Sequence, residues 1–388
     1  MAARTGQPFF YLHPLLIFPF NYFKIYLTEF YSAVFIGFLF AYLFLIIGLI
    51  RVPKNLKKED NDGTPRYFSI VVAARNEANN ISSLLDSLLL IKFPSSNFEI
   101  IICDDHSTDN TATIVKSFTE RIHNLKLVSL PPDSPRGKRA ALEAGIRIAR
   151  HDRIIITDAD CVTQPDWLDQ LDKCFTVDTQ FLIANAPLIK KSGFVNSISC
   201  FENMRSFILI TSTFGWGHPV SATARNMGFR KEIFHAEGGY RPTAGSLGGD
   251  DDLLLKNFLD KGYTVNLSTD PQSAVFSHTS SSFREYFRQK ARHTAASKFY
   301  SKQSKWILVF WHLPNLYAQS SILLLPFFPE VSFTFFVKIL FDLILVLSLQ
   351  KKYNYHFNPF QIVFYQIFYE IFLIINYFTS RFMKFNWK

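Results

Sequence analysis

The segment Arg153-Ile-Ile-Ile-Thr-Asp-Ala-Asp160 joins a short apolar run to two aspartates separated by one residue. Three consecutive isoleucines are typical of a strand that is buried on both faces of a sheet. Alternate residues at the end of a strand, here Asp158 and Asp160, can face the same cation. Carboxylate oxygens are ligands that Mg²⁺ and Mn²⁺ prefer. The segment therefore predicts a buried strand with a divalent-metal site at its carboxyl end.

The residues before this segment repeat a pattern of strand followed by helix. The predicted strands are Tyr67–Ala74, Phe98–Cys103 and Leu125–Leu130, and the predicted helices are Ile81–Leu90, Thr111–Thr119 and Arg139–Arg150. This alternation predicts a parallel α/β sheet with right-handed crossovers, whose ligands bind outside the carboxyl ends of the strands. The polar side chains that follow the strands are Arg75, Glu77, Asp104, Asp105, Asp158 and Asp160.

Asp104 and Asp105 allow two interpretations on local grounds. They precede the stretch His106–Asn110, which is rich in residues that cap helices, so they could belong to a capping turn. They could equally accept hydrogen bonds from the base or ribose of a nucleotide. Both interpretations stay open at this level.

Composition divides the chain of 388 residues into an apolar head, a soluble middle and an apolar tail. The 42 phenylalanines lie mostly in the two ends, and the net charge is +9. Basic residues gather where apolar segments stop, which indicates contact with anionic lipid headgroups and argues against nucleic acid as a partner. The four cysteines lack the spacing of a metal site and are expected to be buried thiols.

The head contains one uncharged run, Tyr31–Ile50, long enough to span a membrane. The basic stretch Arg51–Lys58 behind it predicts that the soluble middle lies in the cytoplasm. The earlier apolar stretch Phe9–Phe23 is interrupted by prolines, and we expect it to lie in the membrane interface.

The tail contains three further membrane candidates. They are Trp306–Phe328, Val331–Leu349 and Phe360–Phe378. Lys338 and Asp342 lie inside the second candidate, four residues apart, so they can pair on one face of a helix. The third candidate has basic residues on both sides, so charge does not orient it, and it could lie in the interface instead of spanning.

Four ordered motifs carry a resemblance to a known family. They are Ser69-Ile-Val-Val-Ala-Ala-Arg-Asn-Glu77, Cys103-Asp-Asp-His-Ser-Thr-Asp109, Gly137-Lys-Arg-Ala-Ala-Leu142 and Thr157-Asp-Ala-Asp160. In this order and spacing they resemble the family 2 glycosyltransferases of the GT-A fold. The resemblance covers about Tyr67–Ser301. It implies an α/β nucleotide-diphosphosugar transferase domain, which here lies between an N-terminal transmembrane helix and a C-terminal transmembrane or interfacial helical bundle.

The resemblance implies roles in donor binding for residues of the first half. Asp158 and Asp160 would hold Mg²⁺ or Mn²⁺ and, through it, the diphosphate. The other residues implied to bind the nucleotide-sugar are Ala73, Arg75, Glu77, Asp104, Asp105 and Lys138, together with Gln289 and Arg292 from the second half. A UDP-sugar is the donor favoured by the resemblance.

The second half would bind the acceptor. Gly248-Gly-Asp-Asp-Asp-Leu253 resembles the family motif whose aspartate deprotonates the acceptor hydroxyl, and Asp250 is the best match, with Asp251 next. Adjacent carboxylates should raise the pKa of such a base. Asn226–Arg230 resembles the segment that lines the acceptor side. Gln289-Lys-Ala-Arg-His293 resembles the Gln-x-x-Arg-Trp motif of membrane-bound members, but His293 departs from it, which puts processive polymerisation in doubt.

These expectations together predict three parts. Residues 1–58 form the interfacial segment and anchor, 66–303 the transferase domain (66–165 donor half, 166–303 acceptor half) and 306–380 the membrane helices. The predicted activity is inverting transfer of a sugar to a lipid, lipid-linked or glycan acceptor at the cytoplasmic face of the inner membrane. Two alternatives stay open, a processive polysaccharide synthase and a catalytically silent membrane scaffold.

Overall fold

The structure, a computed structural model, describes residues 14–56, 66–243, 249–280 and 282–382. Several expectations lie outside these residues: the first part of the interfacial stretch Phe9–Phe23, the basic residues Lys57 and Lys58, and Gly248 of the acidic motif. The strands are β1 Phe68–Ala74, β2 Phe98–Asp104, β3 Leu125–Ser129, β4 Arg153–Ile156, β5 Cys161–Thr163, β6 Phe181–Ala184, β7 Met227–Arg230, β8 Val265–Ser268 and β9 Val275–Ser277. The helices are α1 Pro14–Asn55, α2 Ile81–Leu89, α3 Thr111–Phe118, α4 Lys138–Ile148, α5 Trp167–Cys174, α6 Phe194–Gly215, α7 Lys231–Ala236, α8 Asp250–Asp260, α9 Phe283–Ala296, α10 Lys302–Ser320, α11 Pro329–Leu349 and α12 Pro359–Phe382.

A seven-stranded sheet in the order β3-β2-β1-β4-β7-β6-β8 forms the centre of the soluble domain. Strands β3, β2, β1 and β4 are parallel, as the sequence predicts, and their predicted bounds agree with the structure within one or two residues. The side chains of β1 alternate between two hydrophobic clusters: Val71 belongs to one, and Ile70 and Val72 belong to the other. The sheet therefore has a buried core on each face.

The second half of the sheet corrects the expectation of a wholly parallel sheet. Strand β7 runs antiparallel to both of its neighbours, β4 and β6, while β8 is parallel to β6. Gly228 lets β7 approach β4 closely, because a Cβ atom at this position would lie 2.7 Å from Cδ1 of Ile155. The sheet is consequently mixed: β7 runs against the other six strands, and β6 and β8 point in the same direction as the first four.

Three helices of the described residues are long and apolar enough to cross a membrane: Lys24–Lys54, Pro329–Tyr353 and Pro359–Ser380. The expected span Trp306–Phe328 is not among them. Helix α10 contains Pro314 and ends at Ser320, where a 3₁₀ turn, Ser321–Leu324, begins. In addition, α1 is continuous from Pro14 to Asn55, so the described part of the stretch Phe9–Phe23 belongs to the same helix as the run Tyr31–Ile50.

Helix α6 attaches the N-terminal membrane helix to the soluble domain, and the sequence did not reveal this role. A Cβ atom on Gly215 would lie 1.8 Å from the carbonyl oxygen of Gly48, so the α1 and α6 backbones are in direct contact. Near this crossing the Ser212 hydroxyl donates to the Leu45 carbonyl at 2.9 Å, and the Trp216 indole N–H donates to the carbonyl of α1 residue Phe44 at 3.0 Å. The anchor is thus packed into the body of the protein.

Buried charges join α6 to the C-terminal helices as well. The predicted pair of Lys338 and Asp342 is confirmed, with Nζ and Oδ2 2.7 Å apart. Arg205 of α6 approaches the other oxygen of Asp342 at 2.9 Å, and the Tyr42 hydroxyl donates to it. All four side chains are buried, and the two cations Arg205 and Lys338 share the carboxylate of Asp342.

Candidate active site

Two turns at the carboxyl ends of β1 and β2 are held together by side chains. Asn76 has a positive φ of 54°, and its side-chain oxygen accepts from the Thr108 N–H at 2.8 Å. The Glu77 N–H donates to the Thr111 hydroxyl at 2.8 Å. Short polar side chains at these positions hold the turns by hydrogen bonding to backbone amides. The turn carrying Arg75 and Glu77 is therefore fixed beside the end of β2.

Asp104 and Asp105 have different environments. Asp105 is fully buried; one of its carboxylate oxygens accepts from the Gly137 N–H at 2.9 Å and from Arg75 at 3.4 Å. The other oxygen lies 2.9 Å from the ring of His106. In contrast, Oδ1 of Asp104 is buried and has no hydrogen-bond partner among the described residues. Asp105 thus fixes the loop before α4, while Asp104 has an oxygen available for a ligand.

The capping interpretation of this pair finds no support at α3. Asn110 is the N-cap residue of this helix, and the side chain that organises the turn is that of Asp109, which accepts from the Thr111 N–H at 3.0 Å. Ala73, the remaining donor-half position, is half-buried near the end of β1 and pairs with Cys103 of β2.

Asp158 and Asp160 follow β4 and are both half-buried. Lys138, the first residue of α4, donates to Oδ1 of Asp158 at 2.5 Å. Burial alone would raise the pKa of Asp158, but attraction to Lys138, Arg225 and Arg292 lowers it. Burial and repulsion by Asp158 instead raise the pKa of Asp160. The pair therefore combines one carboxyl whose pKa is lowered by neighbouring cations with one whose pKa is raised by burial and by its neighbour.

The donor set fits a divalent ion that is shared with a substrate. No group of three or more His, Cys, Asp or Glu side chains able to hold a metal occurs in the described part of the chain. Mg²⁺ in proteins is commonly bound by one or two carboxylates, with the remaining ligands supplied by substrate phosphates and water. The raised pKa of Asp160, which falls when a cation binds, agrees with this arrangement.

The three aspartates at the start of α8 are held by different partners. Asp250 is half-buried, and its Oδ1 accepts from Nε of Arg139 at 2.5 Å. Asp251 is buried and accepts from the Ala224 N–H at 2.9 Å. Asp252 accepts from the Ala222 N–H at 3.1 Å. Asp250 alone among these three is held by a side chain from the donor half.

The pKa elevation that we expected for the base lies at Asp252. Burial and repulsion by Asp251 raise the pKa of Asp252 to about 7, despite hydrogen bonds from the hydroxyls of Ser221 and Tyr300. Tyr300 lies just before α10. Residues two apart on a helix, such as Asp250 and Asp252, point in nearly opposite directions. Asp252 therefore contacts the element leading to the membrane helices instead of the donor half.

Electrostatics link the two halves of the cleft. Burial alone would lower the pKa of Lys138, but attraction to Asp158, and beyond it to Asp250 and Asp251, raises it. The structure thus brings Lys138 into contact with Asp158 and into the neighbourhood of Asp250 and Asp251.

Helix α9 carries Gln289 and Arg292 with different outcomes. Arg292 lies near enough to Asp158 to lower the pKa of that carboxyl. Gln289 is exposed, and its oxygen accepts from the Ser280 hydroxyl at 3.0 Å. Buried Glu202 of α6 holds this helix through a hydrogen bond from the Tyr286 hydroxyl at 2.7 Å and an ion pair with Lys290 at 3.1 Å.

Arg225 and Arg139 are site residues that sequence reasoning missed. Arg225 donates to the Ser277 hydroxyl at 2.5 Å; its charge helps to lower the pKa of Asp158 and opposes the rise in the pKa of Asp160. Arg139 directly follows Lys138 in the third motif, and this position was the one feature of the sequence that could have indicated it. Arg225 follows no predicted strand, and no local pattern indicated it.

Asn226 and Arg230, in contrast, do not line the cleft as we expected. Buried Asn226 donates to the Asn185 carbonyl at 2.7 Å and accepts from the indole N–H of Trp167 at 3.1 Å. Arg230 donates to the carbonyls of Thr179 and Thr176 at 3.1 and 3.0 Å. Their hydrogen-bonding groups serve the packing around β7.

Comparison with known proteins places this arrangement in a family. Residues 69–237 match the profile of glycosyl transferase family 2. The chain is 25% identical over 276 residues to the protein named probable glycosyltransferase YdaM of Bacillus subtilis, covering 67% of this chain and 63% of that protein. It is 31% identical over 140 residues to the β-monoglucosyldiacylglycerol synthase of a Nostoc species, covering 34% of this chain and 30% of that protein. The chain therefore matches less than two thirds of the length of these relatives.

A solved structure resembles the fold over most of the chain. It is the mannosyltransferase PcManGT of Pyrobaculum calidifontis in complex with GDP-Man and Mn²⁺, with a TM-score of 0.56 and 16% identity. The match covers 90% of this chain and 99% of that one. Residues 69–237 thus match glycosyltransferase family 2, and the chain has the GT-A fold, so the family and fold expected from the four motifs are confirmed.

Proposed function

We propose that this family 2 protein is a membrane-bound, inverting glycosyltransferase. It transfers a sugar from a nucleotide-diphosphosugar to a lipid, lipid-linked or glycan acceptor at the cytoplasmic face of a membrane. The observation that carries the proposal is the convergence of the Asp158 and Asp160 carboxylates, the Lys138 ammonium and the Asp250 carboxylate at one edge of the sheet. A diphosphate needs cations and a metal-binding pair, and an acceptor hydroxyl needs a base.

The donor would be held by three groups of residues. Asp104 offers its unpartnered carboxylate oxygen to the nucleoside, next to the turn that carries Arg75 and Glu77. Lys138 and Arg292 would bind the diphosphate, because both are cations beside Asp158. Ala73 and Gln289 contribute to the walls of this pocket in the proposal, and Asp105 supports it from beneath. We favour a UDP-sugar on family resemblance.

Asp158 and Asp160 would hold Mg²⁺ or Mn²⁺, which neutralises charge on the leaving nucleoside diphosphate. The raised pKa of Asp160 supports this role, because a carboxylate that is repelled by its neighbour gains most from a bound cation. Divalent-metal dependence also agrees with the Mn²⁺ in the structure of the mannosyltransferase.

The reaction we propose is a single displacement. Asp250 takes the proton of the acceptor hydroxyl, the hydroxyl oxygen attacks the anomeric carbon, and the bond from that carbon to the diphosphate breaks. One displacement inverts the anomeric configuration. We prefer Asp250 to Asp251 as the base because Asp251 is buried and accepts a hydrogen bond from the Ala224 N–H, whereas Asp250 is half-buried.

The acceptor is proposed to be a lipid or a lipid-linked sugar. The three candidate spans and the packing of α1 against α6 would keep the active site near a membrane surface. The related β-monoglucosyldiacylglycerol synthase is named for a lipid product. Cytoplasmic orientation is proposed from basic residues that flank the apolar helices on the side of the domain, namely Arg51, Lys54, Lys302 and Lys305.

The test is a screen with detergent-purified protein. Labelled UDP-glucose, UDP-N-acetylglucosamine and GDP-mannose are offered with Mg²⁺ or Mn²⁺ and either diacylglycerol or a polyprenyl phosphate, alongside Asp160→Ala. We expect one donor to be turned over with metal, a product carrying one sugar, and no turnover by the variant. Long polymeric products would favour the processive synthase. Failure to bind any nucleotide-sugar would overturn the transferase proposal in favour of the silent scaffold.

A further inference from the structure

The start of helix α4 carries two consecutive cations that pair with two different carboxylates. Lys138 donates to Asp158 on the metal side, and Arg139 donates to Asp250 of α8; both contacts are 2.5 Å. Successive helical residues project about 100° apart, so neighbouring side chains can reach opposite walls of a cleft. One helix terminus therefore touches both the metal-side pair and the aspartate that we propose as the base.

The pair of Arg139 and Asp250 is well shielded from water. The side chains are 21% and 17% exposed, respectively. A guanidinium group so placed interacts with a carboxylate more strongly than an exposed surface pair does, because solvent screens it less. Nη2 of Arg139 is buried and has no hydrogen-bond partner among the described residues, so the guanidinium is held within the cleft wall, away from bulk water.

The Asp250 side chain is held by Arg139, whereas its neighbours Asp251 and Asp252 are held by the backbone. Asp251 and Asp252 both accept hydrogen bonds from backbone amides, those of Ala224 and Ala222. For the Asp250 carboxylate, Arg139 is the recorded partner among the described residues. Asp250 is also the first residue of α8, where the backbone hydrogen bonds of a helix constrain the chain least. The orientation of its side chain is consequently set from the donor half.

We propose that Arg139 is the positioning residue of the general base. It fixes Oδ1 of Asp250 and leaves Oδ2 for the acceptor hydroxyl, so that proton removal occurs in register with the donor bound beside Lys138. The inference rests on the proposed function, since it requires Asp250 to be the base. It also explains why an arginine follows Lys138, at a position that donor binding through Lys138 does not require.

The test compares Arg139→Gln and Arg139→Lys with Arg147→Gln, a change of an exposed arginine on the same helix. Transfer rate, donor KM and thermal unfolding are measured on the full-length protein in detergent. We expect kcat of Arg139→Gln to fall about 10- to 100-fold, the loss typical of misplacing a catalytic group by about 1 Å. The donor KM should change less than about twofold, Arg139→Lys should recover most of kcat, and Arg147→Gln should match the wild type.

A double-mutant cycle with Asp250→Asn separates this role from a general loss of structure. In the Asp250→Asn background, Arg139→Gln should cause no further loss of kcat, because the side chain that it positions is no longer a base. Wild-type kcat in Arg139→Gln, or a tenfold rise in donor KM at unchanged kcat, would overturn the positioning role alone. Wild-type kcat in Asp250→Asn would overturn both this inference and the proposed mechanism. If Arg139→Gln fails to fold, Arg139→Ala takes its place in the cycle, with the same loss of kcat expected in the wild-type background and none in Asp250→Asn.

Discussion

The substitution Glu99→Gln should destabilise the soluble domain by an amount that its surroundings allow us to calculate. Glu99 lies in strand β2, between β3 and β1, with its side chain fully buried. Burial alone would raise the pKa of Glu99, but hydrogen bonds from the Arg150 N–H, Lys126 and Ser69 lower it to about 2. The carboxylate is thus charged inside the fold because four hydrogen bonds from three residues converge on it.

The magnitude follows from linkage between ionisation and folding. A fall in pKa from 4.5 to about 2 corresponds to about 3 kcal/mol of stabilisation at neutral pH, at ~1.4 kcal/mol per pH unit. Because the folded pKa lies below the unfolded one, this stabilisation is present above about pH 4.5 and is lost as the pH falls toward 2. A neutral glutamine keeps the shape but loses the charge-assisted part of these bonds.

Thermal unfolding in detergent, followed by tryptophan fluorescence, measures the effect. We expect Tm of Glu99→Gln to lie about 6–12 °C below wild type at pH 7, using ~2–4 °C per kcal/mol for a domain of this size. The exposed Glu120→Gln in the same half is the control. The difference between Glu99→Gln and wild type should shrink as the pH is lowered toward 3. A Tm within about 1 °C of the control at pH 7 would refute the reasoning.

Two further substitutions test the membrane attachment and the acidic motif. Gly215→Ala should separate α1 from α6, because its Cβ would lie 1.8 Å from the Gly48 carbonyl oxygen, and Tm should fall by several degrees. The control is Gly37→Ala, which should leave Tm unchanged because its Cβ would lie 4.0 Å from the nearest atom. An unchanged Tm in Gly215→Ala would contradict the observed crossing. The pKa of Asp252 is raised to about 7 in the folded protein. The folded protein therefore loses stability relative to the unfolded chain as the pH rises toward 7, because the unfolded chain ionises this carboxyl more readily. Between pH 6 and 8, wild type should therefore lose about 1 kcal/mol more stability than Asp252→Asn, and equal losses in unfolding experiments would contradict this.

The sequence predicts the donor half closely, for a physical reason. Strands such as Phe98–Asp104 are continuous apolar runs, and the chain carries its polar groups where such runs stop. In a parallel sheet these stops coincide in space, so linear order alone identified Asp104, Asp158 and Asp160 as neighbours of one cleft.

The acceptor half was less accessible because its elements lack such patterns. Strand β7 is only Met-Gly-Phe-Arg, too short to show an alternation or to indicate its direction. Helix α6 is buried on nearly all sides and yet contains Asn196, Glu202 and Arg205, so its sequence resembles neither an amphipathic nor a membrane helix. The partners of its buried charges are distant in the chain, such as Asp342 for Arg205 and Tyr286 for Glu202.

The sequence also could not distinguish Asp250 from its neighbours or identify Arg139 as its partner. Three adjacent aspartates look equivalent in the sequence, and we expected the raised pKa on the base. The structure distinguishes them by what each contacts: Arg139 for Asp250, the Ala224 N–H for Asp251, and Tyr300 for Asp252. Those contacts arise from packing between elements that no local pattern connects.

The most direct test of the central claim measures donor binding and sugar transfer on the same samples of wild type, Asp250→Asn and Asp160→Ala, with and without Mn²⁺. The account predicts that Asp250→Asn binds the nucleotide-sugar as tightly as wild type but transfers it at least about 100-fold more slowly, since a general base contributes about 10²–10⁴-fold. It predicts that Asp160→Ala loses the effect of Mn²⁺ on donor affinity. Transfer by Asp250→Asn at the wild-type rate, or metal-dependent binding that survives in Asp160→Ala, would contradict it.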